Sequence, residues 1–337
     1  MTTPNIATAT KAASAFDWRA FVKNYFIIGI LLLFVVFLSI ATRFKFLQVT
    51  NLLNIVTQVS GFGLIALGMV FVLIIKGIDL SVGATVALAA VISVSLGQTA
   101  TAGNKFFPDF TPPIVVPILA AIVVGLICGA INGTIVTVFR IAPFIATLGA
   151  MTYLRGGALI YSDGKPISGM DPALAFIGGG KLFGVLPIPV IILTVAAVGM
   201  HILLTKTRFG LHVFAIGGND QAARVSGINI RKVTFWVFVL IGALAGLAGL
   251  ILAGRIESGN PQLGYQMEMD VITAAVIGGT SFNGGVGTIW GAVIGSLFIG
   301  VLNNGMDLLN ISPFMQLVVK GVIIIIAIII DERKNRA

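Results

Sequence analysis

The stretch LLNIVTQVSGFGLIALGMVFVLII, residues 52–75, runs 24 positions without one charged side chain. A helix of that length covers roughly 36 Å, enough to cross the ~30 Å hydrocarbon core of a bilayer. Its apolar residues fall on every side of a helix and do not alternate in and out, which excludes the strand pattern of a membrane β-barrel. Working outward from it, similar windows stand at 25–42, 81–97, 114–138, 143–161, 187–204, 233–253, 269–282, 288–303 and 313–330. The chain therefore reads as an all-α polytopic membrane protein with about ten transmembrane helices.

Composition agrees: 57% of the 337 residues are hydrophobic and 10% are charged, against roughly 25% charged in a soluble domain. Residues 25–330 form the predicted transmembrane domain, between an N-terminal tail at 1–24 and a C-terminal tail at 331–337. No small-residue cleavage site follows the first apolar run, so the sequence predicts a first span that is kept. The net charge of +9 is read by position, as membrane orientation and not as nucleic-acid binding. With ten spans and an inside N-terminus, cytoplasmic segments hold 13 of the 21 basic residues, among them Lys76, Arg140, Lys206, Arg208, Arg224, Arg231 and Lys232. Both termini are then expected in the cytoplasm.

A weak internal repeat points the same way. Residues 120–144, AAIVVGLICGAINGTIVTVFRIAPF, echo residues 291–314, GAVIGSLFIGVLNNGMDLLNISPF. In each, small residues precede an asparagine, Asn132 or Asn303, and a Pro-Phe pair opens the next span. Upstream, Asp79 and Asp270 each precede a small-residue span. Two halves of five spans would run in opposite directions, the inverted repeat that builds transporters. Glycines at 242, 246 and 249, or 291, 295 and 300, have the spacing that lets helices approach closely in lipid.

Catalytic chemistry is nearly absent. His201 and His212 have no carboxylate partner in sequence, and Cys128 lies alone in an apolar run. No catalytic or metal site is expected, and no phosphate loop of the GxxxxGK[ST] type occurs. GGTSFNGGVG, residues 278–287, reads as a tight turn. Ionisable groups in the membrane are candidates for function, and the short set here is Asp79, Arg155, Glu257, Glu268, Asp270 and Lys320. The polar residues Gln58, Asp79, Ser81, Asn132 and Asn303 are the candidates for a translocation pathway, although for any one of the amides Gln58, Asn132, Asn303 and Asn304 stapling helices together is the favoured role. The longest inward loop, 205–232, holds a short helix that Asn219 and Asp220 can cap and Gly227 can end, a shape suited to a partner's groove.

At this loop the chain resembles a known family. QAARVSG, residues 221–227, is similar to the E-A-A-x-x-x-G coupling motif of permeases in ATP-binding cassette importers, with Gln221 where the family often has Glu. GIDLSVGATVALAA (77–90), FIATLGAM (144–151), RFGLHVFAIGGNDQAARVSGINI (208–230) and MDVITAAVIGGTSFNGGVGTIWGAVIG (269–295) resemble the ribose/galactose-type monosaccharide permeases. The resemblance implies an inner-membrane permease homodimer, two cytoplasmic ATPases that use ATP and Mg, and a periplasmic sugar-binding protein that loads it. This chain itself would bind no cofactor. It also implies that Gln221, Ala222, Ala223 and Gly227 couple to the ATPase. Rival readings are an H+- or Na+-coupled carrier using Asp79 and Asp270, an uncoupled channel, and a nucleoside or branched-chain amino acid permease.

Overall fold

The computed structural model describes residues 18–103 and 105–336, with side chains from 28 to 332 except at 104 and 330. Lys11 and the expectation of an uncleaved leader lie outside the described residues. Each of the ten apolar windows becomes a helix: α1 (Trp18–Ala41), α2 (Val49–Ile74), α3 (Val82–Leu96), α4 (Val115–Thr137), α5 (Pro143–Tyr161), α7 (Ile188–Lys206), α10 (Ile230–Ile256), α11 (Met267–Ile277), α12 (Ile289–Leu308) and α13 (Pro313–Arg336). Three shorter helices join them, α6 (Pro172–Gly179), α8 (Arg208–Gly218) and α9 (Asp220–Val225). A two-residue antiparallel ladder, β1 (Lys181–Leu182) with β2 (Leu186–Pro187), lies between α6 and α7.

Among the described residues α2, α4, α7, α10 and α12 are long and apolar enough to cross a bilayer. Helices run past three of the expected boundaries. The tail at 1–24 is already helical from Trp18, and the tail at 331–337 is helical to Arg336. Hydropathy marks where lipid begins, but backbone hydrogen bonding carries a helix past that point. The loop at 205–232 is shorter than expected: α7 runs to Lys206, α10 begins at Ile230, and α8 fills much of the interval.

Helix α2 is the axis of the molecule. Every residue from Val59 to Ile74 is buried, as an all-round apolar helix requires when other helices enclose it. α7, α10, α11 and α12 all pack on it. α10 in turn packs on α4, α3 and α6.

The α4–α10 seam is built from backbone. A Cβ placed on Gly125 would strike the Gly242 carbonyl, and one on Gly129 the Phe238 carbonyl; from the other side, Gly242 and Gly246 face the carbonyls of Gly125 and Ala121. Lipid supplies no hydrophobic drive between helices, so close van der Waals contact carries the association. The α10 glycines were legible in the sequence. Their partners on α4 sat inside the repeat segment and were passed over.

Gly129→Leu is expected to lower the melting temperature of the purified protein by several degrees, since overpacking costs about 1–3 kcal/mol or more against backbone. Gly149→Leu, where an added Cβ meets nothing within 4 Å, is expected to leave it unchanged. Equal melting temperatures in a thermal unfolding assay would refute the seam as described.

Candidate functional site at two converging helix starts

α3 has 15 residues and α11 has 11. At about 1.5 Å per residue neither reaches across a ~30 Å core. Irregular chain precedes each, residues 75–81 and 257–266. Helices interrupted at membrane depth are tolerated where protein or a polar cavity surrounds them, and in transporters such breaks lie at the pathway.

The two starts meet. Gly83 is the second residue of α3, and a Cβ there would strike the Gly264 carbonyl and lie 2.7 Å from Glu268 Oε2. Gly264, with φ +70°, holds the turn before α11. Helix N-termini carry partial positive charge, and three mostly buried carboxylates gather around this pair: Asp79, Glu268 and Asp270.

In the first group, Asp79 Oδ1 accepts from the Ser81 backbone N–H at 2.9 Å and from Ser81 Oγ at 2.7 Å. Asn132 on α4 donates from Nδ2 to Ser81 Oγ at 2.7 Å. None of the three is more than 2% exposed. Asp79 is not a cap of α3: the N-cap is Ser81, with no side-chain cap bond. Asp79 instead turns the chain locally through Ser81.

In the second group, Asp270 Oδ2 accepts from Asn303 Nδ2 on α12 at 3.3 Å and from Lys320 Nζ on α13 at 2.9 Å. An asparagine one helix on thus joins the aspartate of each short helix, through Ser81 in one case and directly in the other. The groups differ in charge, because only Asp270 has a lysine. In both, the asparagine Oδ1 is buried without a hydrogen-bond partner.

Four of the five pathway candidates therefore fall into these groups, and Gln58, half-buried on α2, belongs to neither. The stapling role goes to Asn304, which exchanges two amide hydrogen bonds with Asn51, at 2.8 and 2.9 Å, tying α12 to α2. Arg155 was noted only as an ionisable residue of its window. Its Nη1 donates to the carbonyls of Pro261 and Leu263 at 2.7 and 2.8 Å, pinning the segment before α11. Asp270 is paired with Lys320 in this conformation, while Asp79 engages Ser81 through Oδ1 and has no cation partner among the described residues.

A second candidate region is α9. Asn219 Oδ1 accepts from the Ala222 N–H at 3.0 Å. The helix ends in a Schellman pair, Ile228 N–H to Ala223 carbonyl and Gly227 N–H to Arg224 carbonyl, with Gly227 at φ +82°. Gln221, Ala222 and Gly227 are exposed, Val225 is 90% exposed, and Ala223 faces inward at 4%. α8 anchors this platform: Gly217 lies against the Ile74 carbonyl and Gly285, and the Gly285 N–H donates to that carbonyl at 3.0 Å. The expected glycine turn at 278–287 is thus also the bearing between α8 and the end of α2.

This arrangement, a helical membrane core with short helices at depth and an exposed capped helix outside it, matches a known family model. Residues 51–328 match the permease component of branched-chain amino acid transport systems. The chain belongs to this family. It is 45% identical over 293 residues to the ribose import permease of Bacillus subtilis, covering 86% of this chain and 87% of that one. It is 40% identical over 334 residues to the galactose/methyl galactoside import permease of Haemophilus influenzae, covering 97% and 98%. The corresponding galactose permease of Salmonella typhimurium is 38% identical over 86% of this chain and 88% of its own. No solved structure matches the chain. The permease is thus an integral membrane protein and the membrane component of a transport system.

Lys320→Met is expected to cost about 2 kcal/mol by leaving Asp270 without its cation, read as reduced folded yield, with recovery in the Asp270→Asn, Lys320→Met double variant. Equal losses in single and double variants would show that the pair carries no coupling. Asp79→Asn preserves the acceptor for Ser81 and is expected to transport within about twofold of the parent, whereas Asp79→Ala removes it and costs about 1–2 kcal/mol. A transport-dead Asp79→Asn at normal membrane level would instead demand a charge at this position.

Proposed function

We propose that this permease is the membrane subunit of an ATP-driven importer for a monosaccharide, ribose or a related pentose or hexose. The observation that carries it is the 45% identity over 86% of the chain to a ribose import permease, together with similar likeness to galactose permeases. In this reading it sits in the bacterial inner membrane as a homodimer. A soluble binding protein delivers sugar from outside, and a separate ATPase chain binds ATP and Mg inside.

The proposed topology has ten spans, both termini cytoplasmic, and two inverted halves of five. Packing supports the repeat: α10 lies on α3 and α4 as α2 lies on α11 and α12, and α3–α5 contact has its counterpart in α11–α13. In this frame Gln221, Ala222 and Gly227 present α9 to the ATPase, with Ala223 as its inward anchor. The pathway runs beside the converging starts of α3 and α11, where Asp79, Ser81, Asn132 and Asn303 offer polar groups to a neutral hydroxylated solute, with Gln58 contributing from α2. The buried acceptor oxygens of Asn132 and Asn303 suit hydroxyl donors. Pumping requires that loaded binding protein and ATP favour different openings, since a ligand shifts an equilibrium only through unequal affinity for its states.

Gentle purification through a C-terminal tag, followed by mass spectrometry, is expected to return an ATPase and a sugar-binding protein. Gly227→Val, which forces a β-branched residue into the left-handed region, is expected to cut sugar-stimulated ATPase activity at least severalfold while the permease stays folded. Unchanged stimulation would remove α9 from the coupling role.

A further inference from the structure

Where α2 and α4 end and α5 and α10 begin lies an open pocket of about 840 Å³ that none of the candidate pathway residues lines. Four cations from separate segments face it: Lys76 after α2, Arg140 between α4 and α5, Arg224 on α9 and Arg231 on α10. Asp220 is the one carboxylate in its wall. Among the described residues, neither ion pair involves any of these five. All four cations are solvent-exposed; like charges gathered at one pocket still repel, and an anion among them relieves that repulsion.

Two of the cations sit on strained backbone. Lys76 has φ +61° and Arg140 φ +57°, a region glycine enters freely and other residues resist. Each turn keeps a basic side chain at the cavity where glycine would form the turn more easily, and retained strain of this kind points to function.

The rim shows what carries the anion. Beside Arg140, Val138, Phe139, Phe144 and Ile145 are between 50% and 68% exposed. Helix ends carrying basic residues beside outward apolar side chains mark the level of lipid headgroups. A free phosphate, or an acidic segment of a protein partner, would use the cations and leave this apolar rim unused.

We propose that the cavity binds a phosphate group carried by the headgroup of an anionic phospholipid, its acyl chains lying along Val138, Phe139, Phe144 and Ile145. Arginine forks match phosphate oxygens in paired hydrogen bonds. A phosphate shared by Arg140, Arg224 and Arg231 ties α9 to the α4–α5 turn, so membrane composition sets how firmly α9 is held.

The test uses the protein with whatever chains co-purify, stripped of lipid and then offered phosphatidylglycerol or phosphatidylcholine, with retained lipid counted by native mass spectrometry. Phosphatidylglycerol alone is expected to stay bound. Arg140→Gln with Arg231→Gln is expected to lower its retention about tenfold or more, given about 1 kcal/mol per basic residue near an anionic surface. Lys232→Gln, which removes a neighbouring cation outside the cavity, is expected to retain lipid like the parent. If the double variant fails to fold, the single Arg140→Gln serves, with a severalfold loss expected and Arg140→Lys restoring most of it. Equal retention of both lipids, or indifference to the substitutions, overturns the site. Displacement of lipid by excess inorganic phosphate would assign the cavity to a free anion. Crosslinks from Arg140 or Arg231 positions to an acidic segment of the ATPase, with no lipid held, would assign it to the partner.

Discussion

The backbone contact between α4 and α10 is the constraint on which the rest depends. Glycines on both helices bring carbonyls of one against α-carbons of the other, a contact that works in lipid because it needs no solvent to drive it. With α10 seated there, its other faces meet α2, α3 and α6. α2, packed against α12 and α11, does for the second half what α10 does for the first. Each half lends its longest helix to the other, so the two cannot part as separate rigid bodies. Outside this exchange stand α3, α5, α11 and α13, paired as α3 with α5 and α11 with α13.

The two short helices, α3 and α11, begin at the buried carboxylates. A carboxylate in the membrane is costly, and the structure meets that cost differently at the two short helices. Asp79 has two hydrogen bonds from one serine and no cation, while Asp270 has a lysine from α13 and an asparagine from α12. Both lie at helix starts, where the dipole favours negative charge. The asymmetry makes the α11 side dependent on α13: any motion that draws α13 away exposes the Asp270 charge, whereas the α3 side is self-contained between α3 and α4.

The ten long or apolar helices were legible as apolar windows, because a chain in lipid must satisfy its own backbone and the helix is the cheapest local way to do so. Asp79, Asn132, Asp270 and Asn303 were legible too, through the echo between residues 120–144 and 291–314. What joined them was not. Lys320 reaches Asp270 across 50 positions, and Arg155 reaches Pro261 across 106; no periodicity carries such distances. α8 was missed for another reason. Its buried residues, Gly210, Val213, Ile216 and Gly217, do follow helical spacing, but two of the four are glycines and the flanking basic residues resemble a solvated loop. The cavity cations were counted only for the side of the membrane they mark, since composition does not reveal that four loops converge.

The burial of α2 has a consequence in time. Its partner α12 is complete only after a further 234 residues, positions 75–308, have been made, which takes roughly ten to fifty seconds at the usual pace of synthesis. Through that interval the most enclosed helix of the finished molecule lies without one of its two chief partners, and Asn51 has no Asn304 to pair with. Nascent chains are therefore open to membrane proteases until almost the last helix has been inserted. A chain cut short after α11 would leave that vulnerability permanent, so cells would be expected to hold either the whole permease or none of it.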